Sequence, residues 1–87
     1  MALDDDFQAA IDNITEVDDP PSNQDQLALY AFFKQANFGD VTGTRPPQYE
    51  LFDRAKFDAW TKVKGMGADE AKQGYIDKVR QLLEDDE

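Results

Sequence analysis

Between Ser22 and Phe38 the chain carries apolar residues on two opposite sides of what periodicity predicts to be one helix. At roughly 100° per residue, Leu29, Phe32, Phe33 and Ala36 fall on one face. Leu27, Tyr30, Ala31, Lys34 and Phe38 fall on nearly the opposite one. A helix at the surface of a small domain needs only one apolar stripe. The second stripe is unusual because Tyr30 and Lys34 sit inside it, one helical turn apart. Two readings fit. Either both stripes pack against neighbouring helices and Lys34 runs its stem along them to reach water, or the second stripe is an apolar groove with a cation and a phenol at its rim.

The remaining segments also read as helices. The first runs from about Asp4 to Val17: Leu3, Phe7, Ala10, Ile11 and Ile14 recur at helical spacing, and Asp4, Asp5 and Asp6 suit the positive helix start. Asp18-Asp19-Pro20-Pro21 ends it, since proline cannot continue the backbone ladder. Ser22 then caps the second helix, with Asp25 three residues on completing a variant of the capping box. Gly39 to Gln48 is a loop, lengthened by the less regular Tyr49 to Phe52. The third helix is expected over about 53–64, with Asp53 as cap, Gly65 as stop, and Phe57, Trp60 and Val63 as a core stripe. The fourth is expected over about 68–84, with Ala68, Ala71, Tyr75, Ile76, Val79, Leu82 and Leu83 inward. Gly67 caps it poorly, and the acidic tail Glu84-Asp85-Asp86-Glu87 should fray at the negative helix end. No strand signal occurs. The fold class is all-α, a single four-helix domain spanning 1–87, with a long loop between its second and third helices.

Composition removes whole classes of function. The 87 residues include neither Cys nor His. Disulfides, thiolate or imidazole metal sites, and Cys-His or Ser-His catalysis are therefore excluded. The spacing Gly-x-x-x-x-Gly-Lys is absent, so nucleotide hydrolysis is unsupported. A net charge of −10 opposes general binding to nucleic acid or to an anionic membrane, since both are polyanions. No apolar run approaches the roughly 20 residues needed to span a bilayer, and the acidic start is wrong for a signal peptide. A cytoplasmic location is expected. The positive charge is unevenly placed: no Lys or Arg precedes Lys34.

Tyr30-Ala31-Phe32-Phe33-Lys34-Gln35-Ala36-Asn37-Phe38-Gly39-Asp40 closely resembles the signature of the acyl-CoA-binding protein family. Arg45-Pro46 resembles its loop motif and Ala55-Lys56-Phe57-Asp58-Ala59-Trp60 its third-helix motif. Gly65, Glu70-Ala71, Tyr75-Ile76 and Val79 follow its fourth helix in order and spacing, and Phe7 and Ala10 match in the first. The resemblance covers nearly the whole chain.

It implies an up-down-down-up bundle with an open site that binds, buffers and transports medium- to long-chain acyl-CoA esters without catalysis. It implies no cofactor, a monomer, and at most transient contact with acyl-CoA-using enzymes. By the resemblance, Tyr30, Lys34, Lys56 and Tyr75 hold the CoA head group and Phe7 helps form the site. Ile11 stands where the family often has alanine, which bears on the width of the groove. Thr15 stands where some members have a contacting lysine, and Gln26 where some have an apolar side chain near the acyl tail. Leu27 joins the site list from the second stripe of the helix.

The residue types suit the ligand. Phosphates call for cations and donors, adenine for flat or apolar surface, and the alkyl chain for an apolar groove worth roughly 0.8 kcal/mol per buried CH₂. Three rival classes fit less well or predict something different. An acyl carrier protein needs an attachment serine in an Asp-Ser-Leu context, and the one serine, Ser22, lies in Pro-Ser-Asn. A small acidic helical interaction module predicts an exposed apolar patch without small-molecule selectivity. An enzyme would need a carboxylate paired with a second catalytic group, and no motif supplies one.

Overall fold

A computed structural model of the chain describes residues 2–16 and 20–85. Four α-helices carry the fold: α1 (Ala2–Asn13), α2 (Asn23–Phe38), α3 (Leu51–Lys62) and α4 (Ala68–Asp85). No strand occurs among the described residues.

Cross-helix contacts give the topology. Asp4 meets Lys72 and Phe7 meets Tyr75, so α1 and α4 run in the same direction. Asp25 meets Lys78, while Gln35 meets Met66 just before α4, so α2 runs against α4. Lys56 faces Tyr30 and Trp60 faces Gln35, so α2 and α3 run together. The order is up-down-down-up. The molecule is thin, with principal extents of 37 × 30 × 15 Å, and a slab of that shape leaves helix faces open to solvent on both sides.

The main core lies between α1, α2 and α4. Phe7, Ala10, Leu29, Tyr75, Ile76 and Val79 are buried there, with Leu3, Ile11, Ile14, Phe32, Ala36, Leu82 and Leu83 packed against them. Each large side chain removed from water contributes roughly 1.5–3 kcal/mol. Gly74, inside α4, lets the Phe32 ring approach so closely that a Cβ there would stand 2.7 Å from it.

The helix limits differ from the periodicity reading in instructive places. α1 begins two residues earlier, because Leu3 packs on the core and extends the stripe. Its end tightens into a 3₁₀ turn over Ile14–Glu16, where the Thr15 hydroxyl donates to the Asp12 carbonyl at 2.7 Å. Val17, Asp18 and Asp19, expected to end this helix, lie outside the described residues, as do Asp86 and Glu87 of the acidic tail. Ser22 caps α2 as expected: its Oγ accepts from the Asp25 N–H at 3.1 Å. The Asp25 carboxylate is held by Lys78 Nζ at 2.6 Å.

Asp53 is not the cap of α3. The helix starts at Leu51, with Glu50 in the cap position and no side-chain cap bond. The Glu50 N–H donates to the Pro47 carbonyl at 3.0 Å, so a backbone turn, not a side chain, leads the chain into the helix. Leu51 and Phe52 are therefore helical rather than part of the loop. Nor is the α3 stripe deeply buried: Phe57, Trp60 and Val63 are each half-buried, because among the described helices α2 is the one against which α3 packs extensively. Ala68, expected inward, is exposed.

Candidate functional site

The N-terminal halves of α2 and α3 line an open groove of about 570 Å³. α2 contributes Asn23, Gln26, Leu27 and Tyr30, and α3 contributes Leu51, Phe52, Ala55 and Lys56. Leu51 and Phe52 are largely exposed along its edge. The Gln26 amide, part of the lining, donates to the Pro21 carbonyl at 2.8 Å, beside the apolar wall of Leu27.

Two cations converge at this groove. Lys56 Nζ lies 5.6 Å from the centroid of the Tyr30 ring, and Lys34 Nζ lies 5.6 Å from the same centroid. Lys34 Nζ is also 4.7 Å from the Phe38 ring and 5.9 Å from that of Trp60. Neither lysine forms an ion pair among the described residues, whereas Arg45, Lys72 and Lys78 are each paired with a carboxylate. Both ammonium groups thus keep their donors for something else.

Phe7 and Tyr75 form a second part of the site on the α1–α4 side. Their rings meet edge to face at 5.2 Å, and Phe33 approaches both, at 6.3 and 6.5 Å. Phe33 is 36 % exposed, so it carries the aromatic surface outward from the core. Tyr75 is buried, and that desolvation raises its pKa above the ordinary phenol value. Ile11 is half-buried and supports this wall from the core rather than lining the groove. Of the residues singled out from sequence, Leu27, Tyr30 and Lys56 line the groove and Lys34 stands beside it, while Phe7 and Tyr75 stand together apart from it.

Sequence reasoning missed Leu51 and Phe52 as groove-lining residues, Phe33 as a partner of the Phe7 and Tyr75 rings, and Gln35 as the pivot that holds the α2–α3 pair in register. Leu51 and Phe52 lie one turn before Ala55 and Lys56, a spacing that could have revealed them. Gln35 is 2 % exposed. Its amide donates to the Asp40 carboxylate at 2.8 Å and the Met66 carbonyl at 2.9 Å, and its Oε1 accepts from the Trp60 indole at 3.0 Å. The indole also donates to the Gly39 carbonyl at 2.9 Å. The Asp40 carboxylate accepts from the Gly65 N–H at 2.7 Å, and that bond, with the Gln35 amide, lowers its pKa. Arg45 grips Asp58 through two bonds of 2.8 and 2.7 Å, pinning the α2–α3 loop onto α3 and lowering the Asp58 pKa.

Another cleft of about 370 Å³ lies between α1 and α4. It sets Arg80 among Asp6 and Glu84, an acidic setting ill suited to an anion.

Fold and groove together define a small all-α protein whose open apolar groove is flanked by two cations that have no carboxylate partner among the described residues. A family model described as acyl CoA binding protein matches residues 4–79. The chain is 45 % identical over 84 residues to an acyl-CoA-binding protein of Brassica napus, covering 97 % of this chain and 91 % of that one. It is 43 % identical to an acyl-CoA-binding domain-containing protein of Arabidopsis thaliana over the same shares. Its fold superposes on the crystal structure of Oryza sativa acyl-CoA-binding protein 2 with a TM-score of 0.91, at 44 % identity, over 98 % of this chain and 92 % of that one. The chain belongs to the acyl-CoA-binding protein family.

Proposed function

We propose that this chain binds medium- to long-chain acyl-CoA esters in the α2–α3 groove, and buffers and carries them without catalysing a reaction. One observation carries the reading: Tyr30, flanked by the ammonium groups of Lys34 and Lys56, stands beside a groove of about 570 Å³ walled by Leu27, Leu51, Phe52 and Ala55. The relatives named above as acyl-CoA-binding proteins support it.

The roles divide by chemistry. Lys34 and Lys56 meet phosphate oxygens with charge-assisted bonds. Tyr30 adds a phenol and a flat ring, and Tyr75 with Phe7 completes an aromatic wall for the head group. Leu27 and the edge residues of α3 take the acyl chain, while Ile11 backs the Phe7–Tyr75 wall from the core. Free CoA keeps the head-group contacts and loses the tail. A fatty acid keeps the tail and loses the head group. The order of affinity is therefore acyl-CoA, then CoA, then fatty acid. No resident cofactor is required. The residues form one ligand-binding domain, acting as a cytoplasmic monomer that hands its ligand to acyl-CoA-using enzymes through transient contact. No helix among the described residues is long and apolar enough to cross a membrane.

A calorimetric titration with palmitoyl-CoA, CoA and palmitate tests this. Saturable one-to-one binding in that order of affinity supports it. Failure of palmitoyl-CoA to bind would favour the alternative, an acidic helical interaction module that uses its exposed Tyr49, Leu51 and Phe52 as a protein-docking patch.

A further inference from the structure

Phe38 is the last residue of α2 and is 66 % exposed. It belongs to neither the core nor the lining of the groove. A phenylalanine so placed contributes little to folding, yet its ring stands closer to the Lys34 ammonium than any other aromatic ring does, at 4.7 Å against 5.6 Å for Tyr30 and 5.9 Å for Trp60. Tyr30, Lys34 and Phe38 are spaced four residues apart, so they stack along one edge of α2 as aromatic, cation, aromatic. Trp60 closes the flank from α3, where its indole is fixed by bonds to Gln35 and Gly39.

The arrangement solves a problem particular to this chain. It has 19 acidic residues against nine basic ones. A free lysine on such a surface is drawn to the nearest carboxylate, and a ligand phosphate would then have to displace it. Aromatic faces attract an ammonium group without consuming its N–H donors. At an exposed site each such contact is worth about two- to fivefold in an equilibrium constant. That is enough to bias the side chain to one location and too little to compete with a phosphate. Because the rings contact the ammonium through their faces, the contact persists while the N–H groups bond an anion.

We propose that Phe38 is a positioning residue, which holds the Lys34 ammonium unpaired and aimed at the head-group phosphates of the bound acyl-CoA. The inference rests on the functional reading above and deepens it by assigning a role to a residue outside the ligand-contacting set.

The experiment is calorimetry on the full chain with palmitoyl-CoA and with CoA, using Phe38→Ala, Phe38→Leu and Phe38→Tyr in the wild-type and Lys34→Ala backgrounds. Circular dichroism checks the fold. Phe38→Ala and Phe38→Leu should each weaken both ligands about two- to fivefold, by the same factor for palmitoyl-CoA as for CoA, since the effect is on the head group. Phe38→Tyr should restore wild-type affinity. In the Lys34→Ala background Phe38→Ala should have no further effect.

Phe38→Leu at wild-type affinity, or tighter binding by Phe38→Ala, overturns the proposal, because the π face would then be idle or would compete with the ligand. A Phe38→Ala loss that persists undiminished without Lys34 also overturns it, because Phe38 would touch the ligand itself. If wild-type protein binds neither ligand, the functional reading fails and this one with it. If wild type binds and Phe38→Ala matches it, this inference alone fails.

Discussion

The ammonium groups of Lys34 and Lys56 stand at the same distance, 5.6 Å, from the centroid of the Tyr30 ring. One lysine comes from α2 and the other from α3, so the parallel packing of these helices is what brings two like charges to one phenol. Lys34→Ala and Lys56→Ala should each weaken acyl-CoA binding by about 1.5–3 kcal/mol, the usual worth of a hydrogen bond to a charged group. Urea midpoints should move little, since neither lysine forms an ion pair among the described residues. Unchanged affinity in either folded variant would falsify that residue's assignment.

Tyr75 is set apart from this pair by burial. Its ring packs edge-on against Phe7, and desolvation raises its pKa above the ordinary value near 10. A group whose folded pKa is raised contributes stability that is fully present below its unfolded pKa and is lost as pH rises through the folded one. Tyr75 should therefore sensitise the fold to pH above about 10. Tyr75→Phe should fold normally, unfold at higher alkaline pH than wild type, and bind acyl-CoA about 0.5–1.5 kcal/mol more weakly if its hydroxyl donates to the head group. Alkaline titration followed by circular dichroism checks the first expectation and calorimetry the second. Equal affinities would remove Tyr75 from the site while leaving its packing role intact.

The helices, and the clustering of Leu27, Tyr30, Lys34 and Lys56 around one groove, are legible in the sequence because both depend on short-range spacing. The core stripe of α2, the Ser22 cap and the i, i+4 pair Tyr30–Lys34 are local patterns that the structure keeps, while the second stripe lines the groove at Leu27 and Tyr30 but leaves Phe38 exposed outside it. The start of α3 was not legible. Asp53 has the chemistry of a cap, but the Pro47–Glu50 turn delivers the chain into helix before it. Gln35 was equally hidden. A polar residue inside a helix reads as solvated, and only the tertiary fold brings Asp40, Trp60 and Met66 around it. Burial along α3 was overestimated for a related reason, since a stripe shows which face turns inward but not how many neighbours cover it.

Gly74 also escapes sequence reasoning, because a glycine inside a helix looks like a simple weakness. Replacing it with alanine should by propensity alone stabilise α4 by about 1 kcal/mol. The new Cβ would stand 2.7 Å from the ring of Phe32, which is packed against the core. Overpacking of this kind costs about 1–3 kcal/mol. Gly74→Ala should therefore lower the urea midpoint despite its better helix propensity, and adding Phe32→Leu should recover part of the loss. A Gly74→Ala variant more stable than wild type would show that the ring moves aside freely.

The last expectation follows from the conflict between the local and global charge. The ligand is polyanionic and the protein carries a net charge of −10. Long-range electrostatics therefore oppose encounter, while Lys34 and Lys56 attract only near contact. Salt screens exposed charges beyond a Debye length of about 10 Å at 0.1 M and screens contacts in a partly desolvated groove much less. The association rate should rise, or stay level, between low and physiological ionic strength. A basic protein binding the same ligand would show the reverse. Equilibrium affinity should hold up as well, because the contact pairs and the apolar burial both survive added salt. Stopped-flow mixing with a long-chain acyl-CoA at several ionic strengths, followed through the emission of Trp60, reads this directly, since the Lys34 ammonium lies 5.9 Å from the indole centroid and its rearrangement on binding perturbs that ring. A steep fall in the association rate with salt would mean that the two lysines dominate the field at the groove, and that the acidic remainder of the surface is too distant to oppose them.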